Sequence, residues 1–260
     1  MSAERGFHVE VADGIAVLTI DRPKANAIDA ATSCAMGKAF VGFEHDPGVR
    51  VVIVTGAGER FFCAGWDLDA AAEGEAFDSD YGAGGFGGFP DLPHRTVPVI
   101  AAVNGMAVGG GFEIAMAADM IVAAEHATFF LPEAGLGILP DAGSVRLPRL
   151  LAPHIAHEVL LAGRRLTAAE GAQFGLVNRV VPADSLLLAA RELAAGVVAN
   201  APLSIAAILD IGRRTAAMDV VDAMAAVKSF NSYRAAIDSH DALEGNASFA
   251  EKRPPIWTGR

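Results

Sequence analysis

Basic clusters, paired cysteines and uninterrupted apolar runs are all missing from this sequence of 260 residues. The formal net charge is −11 and no segment is rich in lysine or arginine, which argues against nucleic acid or an anionic membrane surface as the main partner. One phosphorylated ligand held by a few local basic groups is still compatible with this charge. Cys34 and Cys63 stand alone without a Cys-x-x-Cys pattern, so neither a disulfide framework nor a structural zinc site is expected.

The sequence also lacks the patterns of export and of membrane insertion. Residues 1–6 do not show the basic and then apolar order of a signal peptide. The most apolar stretch, residues 106–124, contains Glu113, Asp119 and three adjacent glycines, so it is too polar and too broken for a membrane span. Together with the two unpaired cysteines, these patterns predict a cytoplasmic protein.

The patterns that are present predict an α/β core followed by helices. Hydrophobic residues make up 52% of the chain and charged residues 20%, which is typical of a globular protein with a large core. Strands are predicted at residues 15–20, 51–55, 98–103, 120–123 and 128–131, and helices at 29–45 and 111–118. Further helices are predicted at residues 185–200, 203–217, 220–234 and 240–251. The glycine-rich, acidic residues 71–95 predict a long loop that is either a functional lid or disordered.

Two glutamates are the strongest functional signal. Glu113 comes after Gly109-Gly110-Gly111-Phe112 and Glu133 follows a proline. Both are flanked by apolar sequence, where an unpaired carboxylate is costly. A pair of carboxylates in a glycine-lined cleft can move two protons on one substrate. The alternative is structural, with Glu113 capping a surface helix and Glu133 in a solvated loop.

Glycine turns follow two of the predicted strands, at residues 61–68 and 105–113. Two such turns with free backbone N–H groups could form an oxyanion hole, whereas either turn alone is more typical of a tight strand-to-helix connection. The second turn has no Gly-Lys-Ser/Thr ending and no Gly-x-Gly-x-x-Gly, and no Gly-x-Ser-x-Gly occurs in the chain. His154 and His157 are interpreted as a polar helix face, and Cys63 as a core residue.

Together, these segments resemble the crotonase (enoyl-CoA hydratase/isomerase) superfamily over nearly the whole chain. The matching segments, in the family's order, are residues 21–28, 62–68, 104–113, 128–140 and 244–253. The resemblance implies an α/β crotonase spiral of ββα units, similar to that of Clp-type proteases, in residues 1–195. It also implies a helical oligomerisation region in residues 196–260, a homotrimer or dimer of trimers, an acyl-CoA substrate, and no metal or separate cofactor.

The resemblance also implies roles for individual residues. The N–H groups of Trp66 and Gly110 would bind the thioester oxygen, and Glu113 and Glu133 would be the catalytic pair of a hydratase. The residues expected to contact CoA are Lys24, Ala25, Ala64, Asp67 and Leu68, with Phe249 and Lys252 from a neighbouring subunit.

A closer resemblance is to the carnitinyl-CoA dehydratase branch of the superfamily. It rests on residues 62–68, on 70–76 (AAAEGEA), on Pro140-Asp141 and on the ending EKRxPxWxGR. The substrate of that branch carries a trimethylammonium group, which aromatic faces and carboxylates stabilise. Candidates for this pocket are Trp66, Tyr81, Phe86, Phe89 and Asp141. The alternative is that Asp141 caps a turn and that the aromatic residues cover an ordinary acyl chain.

Three other functions are alternatives. The first is a general enoyl-CoA hydratase of fatty-acid β-oxidation. The second is an inactive crotonase-fold scaffold, whose glutamates would be too far apart or too exposed to share a substrate. The third is peptide hydrolysis on the related protease fold, which the missing Ser-His-Asp pattern disfavours.

Overall fold

The computed structural model describes residues 6–260. Residues 1–5 lie outside the described part. The prediction that the chain begins without a signal peptide rests mainly on these residues. The strands are β1 (Phe7–Ala12), β2 (Ile15–Ile20), β3 (Val51–Gly56), β4 (Phe61–Cys63), β5 (Val99–Val103), β6 (Met106–Val108), β7 (Met120–Ala124), β8 (Thr128–Phe130), β9 (Leu166–Thr167) and β10 (Arg179–Val181).

The α-helices come in two groups. Those within and around the sheets are α1 (Ala30–His45), α2 (Leu68–Ala72), α3 (Gly110–Ala117), α4 (Asp141–Leu150), α5 (Pro153–Ala162) and α6 (Ala168–Gln173). Those that follow the last strand are α7 (Leu186–Val198), α8 (Pro202–Thr215), α9 (Val220–Ala226), α10 (Asn231–Ile237) and α11 (His240–Glu251).

The strands form two sheets that the chain visits in alternation. The larger sheet has the order β1-β2-β3-β5-β7-β10 and the smaller one β4-β6-β8-β9. The pairs β3–β4, β5–β6 and β7–β8 each place one strand in the larger sheet and the next in the smaller one. A helix follows each pair: α2, α3 and a 3₁₀ helix at Glu133–Leu136, respectively. The predicted spiral of ββα units is therefore confirmed.

The larger sheet is buried on both faces at its centre. Every residue of β3 and β5 is buried, as expected for parallel strands made of β-branched and small apolar residues. Helix α7 packs against β2, β3, β5 and β7 and covers the sheet. In the smaller sheet β4, β6 and β8 are parallel, so they end at one edge, and the segments that follow them carry Trp66, Gly110 and Glu133.

The C-terminal region is helical, as predicted, but one of its helices was predicted wrongly. Residues 220–234 do not form one helix: α9 ends at Ala226, a 3₁₀ turn follows, and Phe230 is extended before α10 begins. Phe230 is buried and the Arg214 guanidinium lies 3.7 Å from the centre of its ring, so packing against α8 outweighs local helix preference. The predicted boundary at 195/196 falls inside α7, and the division into two regions stays a prediction.

No single helix among residues 6–260 is both long and apolar enough to cross a membrane. One pair of helices, Ala183–Val198 and Pro202–Thr215, meets the limits of length and composition only when taken together, and it is bent by 101° at its junction.

Candidate active site

A cavity of about 950 Å³ opens where the loops after β4, β6 and β8 meet the segment 73–98, here called the lid. The lid contains no helix or strand, which agrees with the prediction of a long loop at 71–95. The remaining walls are the first turns of α3 and α4 and the 3₁₀ helix at Glu133–Leu136. Both predicted glutamates and both predicted oxyanion residues line this one cavity.

The direction of the Trp66 backbone N–H is set by the hydrogen bonds that Gly65 and Asp67 make to Ile28. Ile28 N–H donates to the Gly65 carbonyl at 2.8 Å, and Asp67 N–H donates to the Ile28 carbonyl at 3.0 Å. In this parallel bridge the two flanking peptides face Ile28, so the Trp66 N–H points to the opposite side. That side holds Gly110, because a methyl group at Gly65 would lie 2.9 Å from the Gly110 nitrogen.

Gly110 is the first residue of α3, so its N–H has no partner within the helix. Within residues 6–260, neither this N–H nor that of Trp66 donates to another protein group. Two free N–H groups therefore lie side by side on the cavity wall, one of them at the positive end of a helix dipole. This arrangement can stabilise negative charge on a single oxygen.

Gly109, Gly110 and Gly111 have no side chain, and other groups of the protein occupy the space beside each of them. A methyl group at Gly109 would lie 2.5 Å from Glu133 Oε1, and its φ of +54° with ψ of −126° disfavours other residues. A methyl at Gly110 would lie 2.5 Å from the Phe86 ring, and one at Gly111 would lie 2.0 Å from the Cys63 carbonyl oxygen. A side chain at Gly109 or Gly110 would displace a wall of the cavity, and one at Gly111 would press against the end of β4.

Glu113 is three residues into α3, and its side chain crosses to the start of α4. Its Oε1 accepts a hydrogen bond from the Gly143 N–H at 2.7 Å. Burial raises the pKa of Glu113 to about 7, and the negative charges of Asp141 and Glu133 add to the shift. The Gly143 bond and Arg146 act in the opposite direction. Glu113 is thus a carboxyl group that can gain or lose a proton near neutral pH.

Glu133 begins the 3₁₀ helix after β8 and is 7% exposed. Burial raises its pKa, and the charge of Asp141 raises it further. Its Oε2 is buried and accepts no hydrogen bond from any residue in 6–260. A buried carboxylate oxygen without a partner is costly in a folded protein, so it indicates a group kept for a ligand or a proton. Neither glutamate is a surface cap or a solvated loop residue.

Asp141 lines the same cavity, and its Oδ1 accepts the Ala142 N–H at 2.6 Å. Its charge adds to the raised pKa of Glu113 and of Glu133. Burial, followed by the charges of Glu75 and Asp141, raises the pKa of Tyr81 to about 12. The Tyr81 and Phe86 rings meet edge to face at 5.3 Å. Asp141 has no ion pair with any described residue. Phe89, in contrast, is buried between Phe40 and Arg95 and does not line the cavity.

Only some of the residues expected to contact CoA line the cavity. Ala64 and the 69% exposed Leu68 line the cavity, and the Ala25 carbonyl accepts the Ala64 N–H at 3.0 Å. Lys24 is exposed next to Ala25. Asp67 instead caps α2 and pairs with Arg22 at 2.6 Å, which gives it a structural contact.

Phe249 and Lys252 lie outside the cavity, at the end of α11. Phe249 is 88% exposed, which leaves its ring free to meet another molecule. Their predicted role in a neighbouring subunit's CoA site stays a prediction.

Three contributors were not predicted from the sequence: Gly143, Arg22 and Glu75. Gly143 belongs to α4, which was not predicted and which starts right after Pro140-Asp141. Arg22 pairs with both Asp29 and Asp67 and braces the turn that carries Trp66. Glu75 accepts a hydrogen bond from the Trp66 indole at 2.8 Å. The only local signals were the acidic residue after proline at the start of α4 and the two glutamates, Glu73 and Glu75, in an otherwise small-residue stretch.

With this geometry in place, the comparison with known proteins is decisive. The family model described as enoyl-CoA hydratase/isomerase matches residues 10–260. The chain belongs to the enoyl-CoA hydratase/isomerase family. A carnitinyl-CoA dehydratase of Salmonella enteritidis PT4 is 56% identical over 246 residues, 94% of each chain.

Solved structures agree with this membership. An enoyl-CoA hydratase from Mycobacterium tuberculosis H37Rv superimposes with a TM-score of 0.91 at 39% identity, covering 98% of this chain and 100% of the other. A carnitinyl-CoA hydratase from Mycobacterium avium gives 0.75 at 38% identity, with 98% and 99% covered. This enoyl-CoA hydratase/isomerase family member is thus a hydro-lyase of the enoyl-CoA hydratase type, and its substrate class is an acyl-CoA thioester.

Proposed function

We propose that this enzyme reversibly hydrates crotonobetainyl-CoA to carnitinyl-CoA, using Glu113 and Glu133 as its acid–base pair. The observation that carries the proposal is the shared cavity. It combines the buried Glu133 and the partly buried Glu113, both of raised pKa, with two free N–H groups and with Asp141, which has no ion pair and lies beside aromatic rings. A catalytically idle scaffold would not need buried carboxyl groups facing one cavity.

In the proposed reaction the thioester oxygen accepts hydrogen bonds from the N–H groups of Trp66 and Gly110. Glu113 in its ionised form removes a proton from water as the water oxygen bonds to C3. The C2=C3 electrons move toward the thioester, and the resulting enolate takes a proton at C2 from Glu133. Loss of one oxyanion donor typically raises such a barrier by about 3–4 kcal/mol, and each acid–base group contributes about 10²–10⁴-fold.

The acyl end of the proposed substrate carries a fixed positive charge on the nitrogen attached to C4, next to C3. The cation must therefore lie close to the two glutamates. Carboxyl groups outnumber guanidinium groups in the cavity wall, where Asp80, Asp91, Glu113, Glu133 and Asp141 are joined by Arg146 and Arg149. Asp141, which has no ion pair, and the Tyr81 and Phe86 rings would hold the trimethylammonium group.

The test compares three CoA thioesters that differ at one position. Crotonobetainyl-CoA carries the cation, 5,5-dimethylhex-2-enoyl-CoA has the same shape without the charge, and crotonyl-CoA lacks the group. We expect the highest kcat/KM for the cationic substrate, and Asp141→Asn should lower that value at least about tenfold while changing the neutral one little. Equal or higher kcat/KM for the neutral isostere would contradict the choice of substrate.

A general enoyl-CoA hydratase is the second candidate. It is favoured by the similarity to the Mycobacterium tuberculosis enoyl-CoA hydratase at 39% identity. On that account the lid aromatics cover an ordinary acyl chain, and crotonyl-CoA should be the best of the three substrates.

The proposed mechanism uses no metal and no cofactor apart from the CoA of the substrate. Backbone N–H groups supply the polarisation that a metal ion would otherwise provide. Dialysis against a chelator should therefore leave the turnover unchanged, and loss of turnover that a divalent metal restores would contradict this part of the proposal.

We further propose that the enzyme acts in the cytoplasm as a homotrimer or a dimer of trimers. The support is a series of exposed apolar side chains on the C-terminal helices, including Val220, Val221 and Met224 on α9. Surfaces of this kind are typical of protein–protein contacts.

A further inference from the structure

Glu75 lies in the lid, three residues after α2 ends, and its carboxylate joins two other parts of the molecule. Its Oε1 accepts the Trp66 indole N–H at 2.8 Å, and its Oε2 accepts the Ala30 N–H at 3.0 Å. Ala30 is the first residue of α1. The Glu75 N–H donates to the Ala70 carbonyl at 3.0 Å, which ties its own backbone to α2.

Trp66 is thereby held at both its side chain and its backbone. The Phe77 ring meets the indole edge to face at 5.6 Å, next to the Glu75 bond. The peptide groups on either side of Trp66 are bonded to Ile28, two residues before Ala30. The lid, the start of α1 and the Trp66 peptide therefore form one connected unit.

Helix capping alone does not account for Glu75. Asp29 already caps α1 by accepting the Thr32 N–H at 2.7 Å. Glu75 is also not among the residues that line the cavity, so it has no direct route to the substrate.

We propose that Glu75 is a positioning residue, which couples the lid to the oxyanion hole by fixing Trp66. The proposal rests on the proposed role of the Trp66 N–H in binding the thioester oxygen. Loss of Glu75 frees the indole and lets the Trp66 peptide rotate away from its alignment with Gly110. Because misplacement of a catalytic group by about 1 Å can cost about 10²-fold in rate, the effect should fall on kcat.

The kinetic test uses Glu75→Ala, Trp66→Phe and the double variant, assayed with crotonyl-CoA. We expect each single variant to lower kcat about 10- to 100-fold with little change in KM, and the double variant to be no worse than either. Glu73→Ala is the matched control, because Glu73 lies in the same segment, is exposed, and its side chain makes no hydrogen bond or ion pair with residues 6–260. This variant should retain wild-type kcat.

Glu75→Gln keeps the coupling testable if Glu75→Ala folds poorly. Oε1 accepts the Trp66 indole N–H at 2.8 Å, and the amide oxygen of a glutamine can keep this bond. The amide nitrogen then replaces the oxygen that lies 3.0 Å from the Ala30 nitrogen, so only the link to α1 is weakened. Glu75→Gln should therefore retain most of kcat. Trp66 emission, read in a Trp257→Phe background, should shift to longer wavelength in Glu75→Ala but not in Glu75→Gln.

A spectroscopic readout separates this proposal from the one it rests on. Butyryl-CoA labelled with ¹³C at its carbonyl has no double bond to hydrate, so its infrared C=O stretch reports polarisation in the bound complex. We expect a lowered frequency on the wild type and a smaller shift on Glu75→Ala. If the wild type shows no shift, the oxyanion role of Trp66 fails. If the wild type shows the shift and Glu75→Ala keeps both the shift and kcat, the proposal for Glu75 fails.

Discussion

Each of the two glutamates faces the cavity in a different electrostatic setting. Glu113 is anchored by the Gly143 N–H at the start of α4, whereas the Glu133 Oε2 has no partner among residues 6–260. Burial is nevertheless the largest cause of the raised pKa in both. In the proposed reaction, the anchored Glu113 holds the water in a fixed place, and the unanchored oxygen of Glu133 exchanges the proton at C2.

The raised pKa of Glu113 predicts a pH-dependent loss of stability. Its ordinary pKa is 4.5 and burial raises it to about 7, so between these pH values the unfolded chain releases a proton that the folded chain keeps. The free energy of unfolding should therefore fall as the pH rises through this range, by at most about 1.4 kcal/mol per pH unit.

Glu113→Gln cannot titrate and should lack this contribution. Urea unfolding at about pH 5 and about pH 7 should show the wild type losing stability relative to Glu113→Gln as the pH rises. Parallel pH dependence of the two proteins would mean that Glu113 titrates normally.

At the residue scale, the site residues that could be predicted are those with a distinctive sequence motif next to them. Glu113 and Glu133 were found because glycines and a proline flank them in apolar sequence. Gly143 and Glu75 were not, because each contributes through a partner that only the fold brings near. Gly143 bonds to Glu113, 30 residues earlier, and Glu75 bonds to Ala30, 45 residues earlier.

Among the elements, the turn between β6 and α3 is the one on which both halves of the site depend. Gly109 begins this turn with φ of +54°, and the space beside it is filled by Glu133. Gly109→Ala should displace the Glu133 carboxylate and tilt the Gly110 N–H, lowering kcat on the order of 10²-fold.

Gly135→Ala is the matched control for this change. It lies in the 3₁₀ helix that carries Glu133, and a methyl group there would meet no atom within 4 Å. Hydration assays should show near wild-type turnover for this control. Wild-type turnover in Gly109→Ala as well would show that the turn does not set the site's geometry.

Several strands and helices were not predicted, because they are too short, or too interrupted by glycine and proline, to show a periodic pattern of apolar residues. β4 and β6 have three residues each, and α4 contains Gly143 and Pro148. β1 was also not predicted, but it is different, because its alternating residues and the Asp13-Gly14 turn are a regular hairpin signal in the sequence. The structure gives these two turn residues φ of +53° and +78°. Longer strands such as β3 were predicted because continuous β-branched runs are specific to buried strands.

For the whole molecule, the exposed apolar residues of the C-terminal helices predict assembly. Val220 and Val221 are each 78% exposed and Met224 is 67% exposed, all on α9. We expect light scattering after size-exclusion chromatography to give three or six times the 26.8 kDa chain mass. Val221→Asp should reduce that mass by placing a charge in an apolar contact.

Assembly also bears on the predicted contact of Phe249 with CoA. If Phe249 reaches the site of a neighbouring subunit, Phe249→Ala should raise KM for the CoA thioester and leave kcat nearly unchanged. A monomer of 26.8 kDa with a wild-type KM would contradict both the assembly and this contact.

The central claim is that Glu113 and Glu133 share one hydration reaction within the cavity. Glu113→Gln and Glu133→Gln keep the size of each side chain and remove its capacity to exchange a proton. The most direct measurement is hydration of crotonobetainyl-CoA and crotonyl-CoA by both variants, with thioester binding followed by calorimetry. We predict that each variant loses at least about 10²-fold in kcat while the binding affinity stays within a few-fold of the wild type. Near wild-type hydration by either variant would contradict the account.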